Sequence, residues 1–176
     1  NKSEIGARHN PSYTVQHPFI MGSLSKIQIK ETPNGSVNWG DYFTELRKYI
    51  KDSNIPCIIS PKYDGCSFEA VVKNGMINSI SSRGDGEYGQ DWMDQLYDKV
   101  GKNLVNYIQT KDGIKYDFDN VSKYTLRGEV VIDKDIYLKK YSNEYANPRS
   151  FVSGIMSKDY DKTDTKYMEA LKDLDI

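Results

Sequence analysis

Cys57-Ile58-Ile59-Ser60-Pro61-Lys62-Tyr63-Asp64-Gly65 decides how this chain is read. The apolar residues Cys57 to Ile59 predict a short buried strand. Pro61 ends it, and Asp64-Gly65 supplies a tight turn. A lysine between a stiff strand end and a turn is held in place, as a nucleophilic amine must be. Taken alone, Lys-x-Asp-Gly is a weak motif and favours an exposed lysine in an ordinary strand–turn–strand.

The residues that follow predict a hairpin over Cys66 to Arg83. Asn74-Gly75 is the preferred pair for a two-residue type I′ turn. With that turn, Lys73 faces Met76, and an unbroken ladder runs back through Val72–Ile77, Ala70–Ser79 and Phe68–Ser81 to Cys66–Arg83. Side chains alternate along a strand, so Arg83 is expected on the Cys66 face, near the end of the Lys62 turn. Gly84, Gly86 and Gly89 then predict a flexible loop whose backbone can approach a phosphate.

Two amphipathic helices are readable. Trp39, Tyr42, Phe43, Leu46, Tyr49 and Ile50 recur at helical spacing, with Asn38 or Asp41 as cap. Asp91 can cap a second helix carrying Met93, Leu96, Val100, Leu104, Tyr107 and Ile108. These apolar stripes are assigned to core packing. Tyr124 to Ile132 reads as a strand interrupted at Arg127-Gly128-Glu129, where Glu129, flanked by Gly128 and Val130, is expected to be half-buried with a partner. Asp135 to Tyr141 predicts a short helix. Asn147-Pro148-Arg149 opens a loop before a helical turn carrying Phe151, Ile155 and Met156. Tyr167 to Leu174 predicts a last helix, with Leu171 to Ile176 as an alternative strand.

Composition sets limits. At 176 residues, with 38% hydrophobic content, the chain suits one domain with a real core. Its 24 Lys and Arg against 25 Asp and Glu leave a net charge of −1, without the basic excess of a nucleic-acid-binding chain. DNA contact must then come from a local patch or another chain. Two cysteines, Cys57 and Cys66, are read as buried thiols of a reducing, intracellular compartment, with a cytoplasmic location expected. His9 and His17 have no cysteine cluster beside them, so no zinc site is read. Neither a membrane-spanning run nor a signal peptide is visible. Asn1 in place of an initiating Met is what a processed or shortened polypeptide would show.

Further motifs surround the lysine. Upstream is His17-Pro18-Phe19-Ile20-Met21-Gly22-Ser23-Leu24-Ser25-Lys26; downstream are Ser82-Arg83-Gly84-Asp85-Gly86-Glu87-Tyr88-Gly89-Gln90-Asp91, Leu126-Arg127-Gly128-Glu129-Val130 and Ala146-Asn147-Pro148-Arg149-Ser150. In this order the set resembles the adenylation domain of NAD-dependent DNA ligases. That family carries a Ser-Leu segment, Lys-x-Asp-Gly, Thr-Arg-Gly-Asp-Gly-x-x-Gly-Glu-Asp, Arg-Gly-Glu-Val and Asn-Pro-Arg-Asn. The resemblance runs from Val15 to Lys158, between an irregular segment 1–14 and a polar segment 159–176 that starts a further element. It implies an α+β fold of antiparallel sheets forming a nucleotide cleft with outer helices, and a domain whose C-terminal part is missing.

The resemblance also implies roles. Lys62 would attack the α-phosphate of NAD and carry AMP. Asp64 would hold the nucleophile loop, Glu129 would accept from the ribose, and Ser23 and Leu24 would lie against the adenosine. Arg83, Arg149 and Lys158 would serve phosphate or the nicked strand. Mg²⁺ would act through the substrate phosphates, without protein ligands. Burial and a nearby cation such as Arg83 would favour the neutral amine that attack requires. Nicked double-stranded DNA is the implied partner, with a second ligase subunit or missing C-terminal domains completing the enzyme.

The chain departs from the family in places. Ser60 stands where the family has a glutamate reading adenine, and Ser157 replaces a second arginine. The later lysine motifs, the nicotinamide-capturing region, and the OB-fold and helical DNA-clamping domains are absent from this sequence. Two other readings stay open: an ATP-dependent RNA or DNA ligase or capping-type nucleotidyltransferase, and a non-catalytic docking or DNA-binding subunit that keeps the ligase fold.

Overall fold

A computed structural model describes residues 14–23, 43–44, 46–48, 50, 60–110 and 123–176, with side chains of the long helix described as far as Lys102. The chain divides into two compact units, Gly22–Lys62 and the remainder. In the Gly22–Lys62 unit, Phe43, Thr44 and Leu46 to Lys48 are helical, within the predicted first helix, and the Ile50 N–H donates to the Leu46 carbonyl at 3.0 Å. The predicted strand at Cys57 to Ile59 lies outside the described residues, as do Trp39, Tyr42, Leu24 and His9.

The larger unit is built on a sheet ordered β3-β2-β5-β6, from β2 (Cys66–Lys73), β3 (Met76–Ser82), β5 (Lys123–Ile132) and β6 (Leu174–Asp175). All its pairings are antiparallel. A separate ribbon pairs β1 (Thr14–Gln16) with β4 (Tyr88–Gln90), a pairing the sequence did not suggest. The described helices of the larger unit are α1 (Met93–Thr110), α2 (Lys134–Lys140), α3 (Pro148–Met156) and α4 (Thr165–Asp173). This is the α+β architecture expected.

One face of the sheet makes the core. Phe68, Ala70, Ile80, Val130 and Ile132 pack there with Leu96 and Val100 of α1, Phe151, Val152 and Ile155 of α3, and Leu171 of α4. Fully burying a side chain of this kind is worth about 1.5–3 kcal/mol, which explains why α1 and α3 lie on the sheet. Met93 N–H donates to Asp91 Oδ1 at 2.9 Å, so Asp91 caps α1 as expected. Leu104, Tyr107 and Ile108 fall on the part of α1 whose side chains are not described.

Several elements correct the sequence reading. β5 runs unbroken through Arg127, Gly128 and Glu129, because all three pair with β2. Asn147-Pro148-Arg149 is the start of α3 rather than a loop. Asn147 caps it by accepting from the Ser150 N–H at 2.8 Å, and Pro148 occupies the first turn, where no N–H is needed. Both readings of the C-terminal segment hold: α4 ends at Asp173, and Leu174–Asp175 pairs with Val131 and Ile132.

The most consequential correction is in the hairpin. The Asn74-Gly75 turn forms as predicted, with φ of 50° and 75°. Lys73 faces Met76 and Val72 faces Ile77, but Val71 then faces Ser79, leaving Asn78 as a bulge. A bulge adds one residue and reverses the alternation beyond it. Ala70 therefore faces Ile80, Phe68 faces Ser82, and Arg83 falls opposite Ser67 rather than Cys66. Its N–H donates to the Ser67 carbonyl at 3.0 Å.

Candidate active site

The stretch Asp64 to Ser67 receives three other motif segments. Asp64 Oδ1 accepts from Arg149 Nη1 at 2.9 Å. Gly65 N–H donates to Glu129 Oε1 at 3.3 Å, and Ser67 Oγ donates to Glu129 Oε2 at 2.7 Å. Ser67 also takes the Arg83 N–H on its carbonyl. Across the sheet, Ser67 thus sits between Arg83 on one side and Glu129 on the other. Glu129 is half-buried and partnered, as its setting between Gly128 and Val130 predicted.

Local chemistry explains the convergence. Gly65 is needed because a Cβ there would overlap the Val130 carbonyl, so this backbone lies directly on β5. Arg149 projects from the first turn of α3, whose cap fixes where the helix begins. Burial pushes the Cys66 thiol upward, opposed by Arg149 and assisted by Glu129 and Asp64, so these charged groups share one neighbourhood.

The glycine loop is more ordered than expected. Asp85 Oδ1 accepts the N–H groups of Glu87 at 2.9 Å and Tyr88 at 2.8 Å. The Gly86 N–H closes onto the Arg83 carbonyl at 3.0 Å. Gly84 has φ of +54° and backs onto the Tyr88 carbonyl, so another residue would be strained there.

Lys62, Ser60 and Ser23 belong to the Gly22–Lys62 unit, and all three are exposed. Lys158 lies beyond the opposite end of α3 from Arg149, with its carbonyl accepting from Gln95 Nε2 at 3.4 Å. Among the described residues no group of three His, Cys, Asp or Glu side chains could hold a metal ion.

Sequence reasoning missed Ser67, and it missed a buried cluster on the same face of β2. Glu69 is 1% exposed. Its carboxylate meets His17 Nδ1 at 3.0 Å and Arg127 Nε at 2.9 Å. A charged residue inside the run Phe68-Glu69-Ala70-Val71-Val72 was the available signal, since a buried carboxylate needs partners.

A mixed α+β domain with an antiparallel sheet, in which Asp64 to Ser67 meets the Glu129 carboxylate, the Arg149 guanidinium and the Arg83 backbone, is the class defined by these features. Residues 13–171 match the family of the NAD-dependent DNA ligase adenylation domain. The chain belongs to that family. It is 32% identical to a DNA ligase of Sulfurimonas denitrificans over 116 residues, 62% of this chain and 16% of that protein. It is 29% identical to a DNA ligase of Rickettsia massiliae over 160 residues, 86% of this chain and 21% of that protein. A DNA ligase of Acanthamoeba polyphaga mimivirus is 30% identical over 143 residues, 81% of this chain and 19% of that protein. The chain thus spans at most 21% of the length of these relatives. No described helix is long and apolar enough to cross a membrane.

Proposed function

We propose that this chain forms the adenylated-lysine intermediate of a DNA ligase from NAD. The neutral amine of Lys62 attacks the α-phosphorus in line. A P–N bond forms, the pyrophosphate P–O bond breaks, and nicotinamide mononucleotide leaves, with the ammonium proton lost to solvent. The observation that carries this reading is the convergence of Glu129, Arg83 and Arg149 on Asp64 to Ser67. Lys62 precedes Asp64 by two residues, a span of at most about 7 Å of chain.

Each group has a role suited to its chemistry. Glu129, held on both oxygens, keeps lone pairs for ribose hydroxyls. Arg83 and Arg149 offer guanidinium forks to phosphate oxygens. Asp64 holds Arg149 and the turn after the nucleophile. Ser23, Leu24 and Ser60 are assigned to the adenosine, and Lys158 to the nicked strand. Mg²⁺ enters with the substrate phosphates, whose charge it neutralises.

AMP then passes to the 5′-phosphate of a nick, and the adjacent 3′-hydroxyl displaces it. Duplex binding is assigned largely to a partner chain or to further regions of the same enzyme. The net charge of −1 supports this, because gripping a duplex takes many phosphate contacts. An intracellular location fits the reaction. The test is intact mass after incubation with NAD or with ATP, followed by peptide mapping. AMP on Lys62 from NAD is expected; an adduct from ATP alone, or on another lysine, would overturn the reading.

A further inference from the structure

We infer that Glu69 is a positioning residue for the nucleotide site, clamping the segment that leads to Ser23 and the loop of Arg83 into one arrangement. The inference rests on the adenylation reading above.

Glu69 lies two residues along β2 from Ser67, on the same face of the sheet. Both side chains of the His17–Glu69 pair are 0% exposed. His17 continues the contact: its Nε2 lies 3.2 Å from the Arg83 carbonyl, the same oxygen that takes the Gly86 N–H. Arg127 continues it in the other direction, donating through Nη2 to the carbonyls of Phe19 at 3.0 Å and Ile20 at 3.3 Å. The backbone closes the ring, with His17 N–H on the Glu87 carbonyl and Met21 N–H on the Gly86 carbonyl, each at 2.9 Å.

One carboxylate therefore ties together chain segments far apart in sequence. Through His17 it reaches the carbonyl of Arg83, and Arg127, which carries its other contact, stands two residues before Glu129 on β5. A buried carboxylate loses its hydration and contributes little net stability even when paired. Apolar residues in place of the whole Glu69–His17–Arg127 cluster would suit stability as well, whereas an apolar residue at Glu69 alone would strip two side chains of their partner. What an apolar residue cannot do is hold His17 and Arg127 in fixed directions. Glu69 touches no reacting atom in this scheme; it acts through those two side chains.

The experiment compares the full chain with Glu69→Gln, which keeps the shape and removes the charge. The core control is Val152→Ala, a fully buried site of α3 on the helical face of the sheet. Glu69→Gln is expected to raise KM for NAD in Lys62 adenylation about tenfold with little change in kcat, the pattern of lost ground-state positioning. Amide exchange at Met21 and Gly86 should quicken while β2 and β5 stay protected. Val152→Ala should lower the melting temperature and leave KM unchanged. If Glu69→Gln does not fold, Arg127→Lys carries the test, because it keeps a cation but loses the reach to Phe19 and Ile20. An unchanged KM in a folded variant overturns the inference alone. No adenylation by the unaltered chain overturns the reading of the site, and the inference with it.

Discussion

Ser67 stands directly across the β2–β5 ladder from Glu129 and donates to its Oε2 at 2.7 Å. The Gly65 N–H takes Oε1, so the stretch after Lys62 orients both oxygens of the carboxylate. Ser67→Ala removes one hydrogen bond and should weaken nucleotide binding by about 1 kcal/mol, whereas Glu129→Ala loses a charged acceptor and should cost about 1.5–3 kcal/mol. Nucleotide titration alongside circular dichroism checks this. Equal affinities in folded variants would remove Glu129 from the ribose.

The Asp64–Arg149 pair is exposed, with side-chain accessibilities of 73% and 57%. Pairs of this kind contribute about 0–1 kcal/mol to stability. Arg149→Ala should therefore leave the melting temperature nearly unchanged while slowing phosphate transfer. Arg149→Lys should not restore the rate, because an ammonium lacks the planar fork. A large loss of stability, or full rescue by lysine, would recast Arg149 as structural.

The hairpin shows how far the sequence could be read. Asn74-Gly75 fixed the turn, but a bulge at Asn78 moved Arg83 to a new partner. A signal was present: Ile77 and Ile80 both pack on the core, and residues three apart cannot share a face of an unbroken strand. Counting apolar spacing would have found the extra residue. The His17–Glu69–Arg127 cluster had no comparable local signature, because its members come together only in the folded sheet. Asn147-Pro148 was legible as a helix start, since a capping residue followed by proline is the usual opening of a helix.

Acid should expose a contact outside the candidate site. Lys140 Nζ and Tyr141 Oη donate to Asp173 Oδ2 at 2.8 Å and 2.6 Å, joining α2 to α4. Burial pushes the Asp173 carboxyl upward, but these hydrogen bonds outweigh it and hold the group below the usual range. A folded value below the unfolded one means stability that is fully present above about pH 4 and lost as pH falls through the folded value. Asp173→Asn should melt earlier than the unaltered chain at pH 7, and the difference should shrink towards pH 2. A gap that stays constant with pH would show that charge at Asp173 contributes nothing.

Gly65 is where the nucleophile turn and the sheet depend on one atom. A methyl group there would overlap the Val130 carbonyl and press on Val131 Cγ1 at 2.9 Å. The Val130 carbonyl cannot easily give way, because Val130 is fully buried and paired with Cys66. Gly65→Ala must then either part β2 from β5 at that pair or swing the turn away from the sheet. Either movement carries the Gly65 N–H off Glu129 Oε1 and displaces the chain that leads back to Lys62. The expected outcome is a stability loss of about 2 kcal/mol or more, with the clash as its named mechanism. Adenylation of Lys62 should fall further than the folded fraction does. Denaturant unfolding measured beside the single-turnover rate with NAD separates the two effects. A variant that reacts in proportion to its folded fraction would show that the turn tolerates displacement and that Lys62 is placed by other contacts.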